Sequence, residues 1–195
     1  MPEEHATQEF DWQYCHCPAF CQPGSRRFEF SIQKETNDNL ILDLLHWQNY
    51  VAAEEHPTLQ QRRTLKRLKA TVQSTFQDDV RVIRSSRGLE GFISLAPFRP
   101  GDEFLEVFEF GAAPWNDYYS KCRVPHIGLM LVKSVVEEAK KLPGVHGIHA
   151  IVINRISARV FRKAGFKRIH GNLFCCNLND CSHLNRYLPR PKNSR

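Results

Sequence analysis

The chain has 195 residues, of which 42% are hydrophobic and 25% charged, with a formal net charge of +6. That balance fits one soluble globular domain, long enough to bury about 70% of its unfolded surface without disulfide or metal staples. No window approaches the roughly 20 apolar residues of a membrane span, and the opening "MPEEHATQEF" is acidic where a secretory signal is basic, so a cytoplasmic setting is the expectation.

Residues 1–25 carry three Cys, three Pro and the turn signal "QPGS", and are expected to be an irregular extension. Order begins at "RRFEFSI", where Phe28, Phe30 and Ile32 alternate as one face of a strand. A helix follows in "LILDLLHWQNYVAAEE", with Ile41, Leu44, Leu45, Gln48, Val51 and Ala52 at helical spacing, and His56-Pro57 ends it. Thr58 can cap a second helix whose stripe is Leu65, Leu68, Val72 and Phe76 and whose outer face is basic.

Three strands come next, in "DVRVIRSS", "GFISLAPF" and the long "FLEVFEFGAA", followed by the polar and aromatic loop "PWNDYYSKCRVP". The helix "HIGLMLVKSVVEEAKKL" has Gly128, Leu131, Val132, Val135, Ala139 and Leu142 as its inner face, and "GIHAIVI" reads as a buried strand. A short helix and one or two late strands in "RIHGNLFCCNL" complete the order. The whole is mixed α/β (α+β), with a parallel strand–helix–strand crossover over 104–153. The domain is expected to run from 26 to 188, with a basic tail over 189–195.

The most informative stretch is "VINRISARVFRKAGFKRI". Asn154 stands where a strand gives way to a helix and is a favoured N-cap, with Ser157 in the first turn. Ile156, Val160 and Ala164 repeat at helical spacing. Gly165 fits the position after the helix where positive φ is needed, and Phe166 can then touch Phe161. Taken by themselves, these residues describe a well-capped helix between two strands.

The pattern Asn154, Ser157, Phe161, Lys163, Gly165-Phe166 also resembles the cofactor region of the GNAT (Gcn5-related N-acetyltransferase) superfamily. The upstream segment agrees in order: a long strand, a loop, Arg123, then Ile127 and Gly128 opening a helix. The resemblance spans roughly residues 26 to 188. It implies a mixed, mostly antiparallel central sheet with a parallel splayed pair and helices on both faces. It also implies acetyl-CoA as co-substrate and transfer of its acetyl group to an amine, in a small molecule or a protein, by direct attack in a ternary complex.

In the family the pyrophosphate lies on a loop and helix N-terminus, here Arg123, His126, Ile127, Gly128 and Leu129; free backbone N–H groups suit an anion. The pantetheine pairs with the end of the long strand, here Phe110, Gly111 and Ala112. Asn154, Ser157, Phe161 and Arg162 border the same cleft by that resemblance. The base is often a Glu on the long strand, so Glu106 and Glu109 are the candidates. They point to opposite faces by strand alternation, and Glu109 is preferred because it lies nearer the splay. Both also fit as solvated strand carboxylates.

The sequence departs from the family pattern in two places. Val124 and His126 stand where glycines are usual, with Pro125, which has no N–H, between them. Phe161 stands where many members have a Tyr that protonates the leaving thiolate; Tyr118 and Tyr119 are the alternatives. A catalytically weak or inactive member that binds CoA or a protein partner is the competing reading.

Seven cysteines are expected reduced. "CHCPAFC" (Cys15, His16, Cys17, Cys21) and "CCNLNDCSH" (Cys175, Cys176, Cys181, His183) lack the Cys-x-x-Cys pairs of structural zinc, and no metal is assigned. Cys122, beside Arg123, is a candidate reactive thiol. The basic clusters are scattered, without the aromatic interleaving of a nucleic-acid site, so neither nucleic acid nor membrane is an expected partner. A homodimer is left open.

Overall fold

The computed structural model describes residues 7–11, 27–35, 37–53, 59, 62, 63, 66, 79–85, 88–116 and 126–179. Strands β1 (Thr7–Asp11), β2 (Arg27–Glu35), β3 (Asp79–Ser85), β4 (Gly88–Leu95), β5 (Phe104–Ala112), β6 (Gly147–Ile151), β7 (Lys167–His170) and β8 (Leu173–Asn177) form one sheet in the order β1-β2-β3-β4-β5-β6-β8-β7. Among the described strands only β5 and β6 pair in parallel; the other pairs are antiparallel. Helices α1 (Asn37–Ala52), α2 (Ile127–Ala139) and α3 (Arg155–Lys163) and a short 3-10 helix (Pro114–Asn116) complete the described elements. None of them is long and apolar enough to cross a membrane.

The expected second helix falls mostly outside the described residues; Leu59, Arg62, Arg63 and Lys66 are helical. The expectation that residues 1–25 are irregular is corrected at Thr7–Asp11, which pairs along its length with residues 27–31 of β2. Its few residues carry a weak strand signal, and the partner edge supplies the hydrogen bonds that make it a strand.

Two apolar cores flank the sheet. On one face α1 lays Leu40, Leu44, Trp47 and Val51 inward, and all but Val51 form a cluster with Val80, Val82, Leu89, Phe92, Ala113 and Trp115. This stripe differs from the expected one: Leu45 is exposed and Trp47 is buried. Trp47 decides the rotation, because its ring packs on Phe92 and its Nε1 donates to the Leu89 carbonyl at 3.2 Å. On the other face α2 and α3 cover Ile83, Ile93, Leu95, Leu105, Val107, Ile148, Ala150 and Phe174. Arg81 ties α2 to β3 on that face, donating to the Ser134 carbonyl at 3.5 Å and facing Glu138 at 3.6 Å.

α2 buries a wide face, with Leu129, Met130 and Val136 buried besides the expected Leu131, Val132, Val135 and Ala139, and Lys133 and Glu137 pair on its outer side at 3.3 Å. It approaches β4 closely at Gly91. A Cβ there would stand 2.6 Å from Ile127 Cγ2 and 3.0 Å from the Gly111 carbonyl oxygen. Gly91→Ala is expected to cost about 1–3 kcal/mol by overpacking, read as a lower urea midpoint with an unchanged slope.

β5 carries a bulge. Ser94 pairs with Glu109 but Leu95 pairs with Val107, so Phe108 is an extra residue. Cross-strand partners share a face, and the two cores fix which. Val107 and its partner Leu95 lie in the α2 core, whereas Glu109 faces the α1 side with Ser94. Ser94 in turn pairs with Val80 of the α1 core. Alternation from Val107 puts Glu106 on the α1 side too. The expectation that Glu106 and Glu109 point to opposite faces is therefore corrected: the inserted residue reverses the parity of the strand and brings both carboxylates to one side.

Candidate active site

β5 and β6 pair only over Phe104–Val107 and Gly147–Ala150. Beyond Val107 they part: β5 runs on to Ala112, while the chain leaves β6 after Ile151 and turns into α3. No described strand pairs with the β6-side edge of residues 108–112. This leaves a slot with an open backbone edge at the carboxyl ends of two parallel strands, the usual ligand position in such sheets.

The N-terminus of α2 lies against that slot. The first helical bond runs from the Met130 N–H to the His126 carbonyl at 2.9 Å, so Ile127, Gly128 and Leu129 precede it with N–H groups that have no helical acceptor. A Cβ on Gly128 would stand 2.9 Å from the Phe110 ring and 3.1 Å from Val160, so only glycine allows the helix this close to β5 and α3. His126 precedes the helix with φ 70 and makes no side-chain cap. That left-handed backbone costs a residue with a Cβ about 1–2 kcal/mol, and explains why glycine would be at home here.

Asn154 caps α3 as its sequence position suggests. Its Oδ1 accepts the Ser157 N–H at 2.7 Å, and the Ala158 N–H reaches its carbonyl at 3.0 Å. The far end closes with paired bonds, Phe166 N–H to the Phe161 carbonyl and Gly165 N–H to the Arg162 carbonyl, with Gly165 at φ 94. Asn154→Ala is expected to cost about 1 kcal/mol by urea denaturation; a change under about 0.3 kcal/mol would mean the cap is replaced by other acceptors.

The candidate residues do not all share one environment. Phe110, Gly128, Val160 and Phe161 meet, with Phe161 edge-on to Phe110 at 5.4 Å and to Phe166 at 5.0 Å. Phe161 is only 2% exposed and belongs to the core beneath the slot, while Arg162 is exposed. On α3 the inward residues are Ala158 and Phe161, and Ile156 is half exposed. Ala112 is exposed and Gly111 half-buried, its α-carbon against the Phe92 ring. Glu106 is exposed, and Glu109 is half-buried with its N–H donated to Ser94 Oγ at 3.1 Å. That N–H is thus engaged within the sheet. Arg123, Tyr118, Tyr119 and Cys122 lie outside the described residues.

Sequence reading missed Glu90. It is fully buried on β4, and its carboxylate accepts from Trp115 Nε1 at 2.9 Å, Asn116 Nδ2 at 2.7 Å and Ser85 Oγ at 2.5 Å. Its carbonyl also accepts from the Ala113 N–H. Glu90 thereby holds the chain as it leaves β5. A lone acid between Leu89 and Gly91 in an apolar strand was the signal available.

No described group of His, Cys, Asp and Glu can hold a metal ion. Cys15, His16, Cys17, Cys21, Cys181 and His183 fall outside the described residues. Cys175 is a free thiol, pushed up from its ordinary value by burial, which does not favour a nucleophile. Cys176 is disulfide-bonded, against the expectation of reduced thiols; pairing depends on distances between sulfurs that spacing along the chain does not give.

No protein-family profile and no curated protein sequence matches the chain. Solved structures do. An uncharacterized protein of Bacillus halodurans aligns with 95% of this chain and 97% of its own, at 16% identity and a TM-score of 0.52. The loading GNATL domain of CurA from Lyngbya majuscula aligns with 77% of this chain and 98% of its own, at 9% identity and a TM-score of 0.50. N-acetylglutamate synthase of Neisseria gonorrhoeae, complexed with coenzyme A and L-arginine, aligns over 76% of this chain and 33% of its own, at 11% identity and a TM-score of 0.50.

The chain has the GNAT fold. Identities of this size carry the architecture only.

Proposed function

We propose that this chain is an acetyltransferase that moves the acetyl group of acetyl-CoA to an amine. The observation that carries the reading is the juxtaposition of the β5 edge over 108–112, with which no described strand pairs, with the first-turn N–H groups of α2 at Ile127, Gly128 and Leu129, which have no helical acceptor. Both features fit coenzyme A. An amide arm can pair with the strand edge as a short extra strand, and a pyrophosphate suits the helix N-terminus. Ile127, Gly128 and Leu129 hold the phosphates in this reading, with His126 and Arg123 beside them. Phe110, Gly111 and Ala112 align the arm, and Asn154, Ser157 and Arg162 border it from α3. The N-acetylglutamate synthase with the same fold was crystallised with coenzyme A.

Glu109 is assigned as general base, with Glu106 as the alternative on the same face. It takes a proton from the acceptor ammonium, directly or through water. The freed nitrogen attacks the thioester carbonyl; a C–N bond forms and the C–S bond breaks. The sulfur leaves as thiolate with little help, because a thiol titrates near about 8.5, and the second proton that the nitrogen sheds on becoming an amide passes to that thiolate or to water. This suits a site where Phe161 offers no hydroxyl. The buried Phe161 and the strained His126 also favour a second reading, a catalytically weak GNAT-fold protein that binds CoA.

Thermal unfolding with acetyl-CoA tests binding: ligand at 100 times its Kd raises apparent stability by about 2.7 kcal/mol. No shift at millimolar acetyl-CoA would sink both readings. Thiol release with a panel of amines then separates an enzyme from a binder. The reading is of a protein acting in the cytoplasm, on a small-molecule or protein amine, with homodimerisation left to the same preparations.

A further inference from the structure

The α1 face of the sheet is covered unevenly. The α1 core reaches across β3 and β4 to Trp115. Beyond it Ile151, opposite in parity to the buried Ile148 and Ala150, is 62% exposed on this face, and Phe108 at the bulge and Ile153 just past β6 are 48% and 65% exposed. The other side of the same β6 strand is sealed, with Ile148 and Ala150 buried. A central parallel strand ordinarily has both faces covered. Among the described residues this side of β6 is left uncovered at Ile151, and that is the feature to explain.

Two acids stand in this patch. Glu106 lies in register with His149 of β6, and the Phe104 ring stacks on His149 at 4.2 Å. Glu109 joins them because the bulge at Phe108 turns it to the same side. The slot between β5 and β6 opens onto this face. On the opposite face it is closed by Phe110 against Phe161 and by Gly128 against Phe110 and Val160. A co-substrate held at the α2 N-terminus therefore leaves the α1 face as the way in for the acceptor.

Resting on the acetyltransferase reading, we infer that the acceptor is a primary amine with an aryl or alkyl body. Its ammonium lies by Glu109 and Glu106, and its body lies across Phe108, Ile151 and Ile153. Charge complementarity selects the cation, and the pair of carboxylates repels an acceptor that carries its own carboxylate. An exposed ring beside the acids adds a cation–π contact. The apolar surface accounts for a body without polar groups, since exposed patches of this kind mark binding sites. A polyamine or a free amino acid would desolvate the patch without filling it.

The test has two stages. Thermal shift with acetyl-CoA comes first; its absence overturns the acetyltransferase reading itself, and this inference with it. Given a shift, thiol release is measured with butylamine, hexylamine, phenethylamine, spermidine, lysine and glutamate. The expected result is kcat/KM rising about fourfold per buried methylene, with hexylamine and phenethylamine at least about tenfold above spermidine and lysine. Ile151→Ser and Ile153→Ser, both at exposed positions, are expected to erase that preference while leaving the acetyl-CoA shift unchanged. A preference for spermidine or lysine, or no discrimination, overturns the inference while the acetyltransferase reading stands. Light scattering runs in parallel. If Ile151→Ser splits a dimer and leaves the amine ranking intact, the patch is a contact between copies of this chain, and the inference fails.

Discussion

Glu90→Ala is expected to lower the stability of the fold by about 3–4 kcal/mol. The side chain is fully buried and accepts from Trp115, Asn116 and Ser85, two of them through side-chain N–H donors in the segment that follows β5. Bonds to a charged acceptor contribute roughly 1.5–3 kcal/mol each, and removing the acceptor strands buried donors whose desolvation is then uncompensated. The loss spreads, because Trp115 sits edge-on to Tyr50 at 5.3 Å and to Trp47 at 6.1 Å, so the same residue docks α1. For a chain of this length the melting temperature falls by about 2–4 °C per kcal/mol, so a drop near 10 °C is expected. Glu90→Gln keeps one acceptor oxygen and should lose about half as much. A melting temperature for Glu90→Ala within about 2 °C of the parent would remove Glu90 as the clamp on the end of β5.

Glu109→Gln is expected to lower kcat by about 100-fold or more, the usual share of a general base. Gln keeps the size and the hydrogen-bonding reach but cannot take the proton, so the acetyl-CoA thermal shift should not change. Glu106→Gln is expected to act more on KM for the amine, because this carboxylate is exposed and farther from the splay. The two carboxylates share a face, so the double variant should depart from the product of the single effects. Full turnover in both single variants would leave the chain without its assigned base.

Much of the fold was legible from local pattern. The α3 segment is the clearest case: Asn154, Gly165 and Phe166 act at the positions their chemistry favours, since capping is settled within one turn of the chain. The long β5 strand, the α2 helix and the short β6 were also readable as elements, but β6 was expected to be buried on both sides and its Ile151 is 62% exposed, since its buried Ile148 and Ala150 belong to the α2 core. α1 was harder. The spacing put Leu45 in the stripe and left Trp47 out, whereas the rotation is set by Trp47 finding Phe92 and the Leu89 carbonyl on β4.

The candidate site divides along the same line. Gly128 drew notice as the residue opening a helix, but its reason lies in Phe110 and Val160, 18 and 32 residues away by the numbering, which no local pattern contains. The parity of Glu106 and Glu109 was misjudged because strand alternation holds only until a residue is inserted, and the insertion is visible only in the pairing of β4 with β5. Glu90 looked out of place in an apolar strand until its donors, about 25 residues on, were brought to it.

The amino-acid sequence alone determined the kinds and order of the described strands and α-helices from β2 to α3 and the cap and stop of α3, because these depend on neighbours within a few turns of chain. Tertiary structure alone decided which face of each element was used, that Thr7–Asp11 became a strand, that two acids share the α1 side of the slot, and that a helix N-terminus closes on a splayed strand. Those outcomes rest on contacts between residues far apart in the chain, whose free energy exists only once the sheet has assembled.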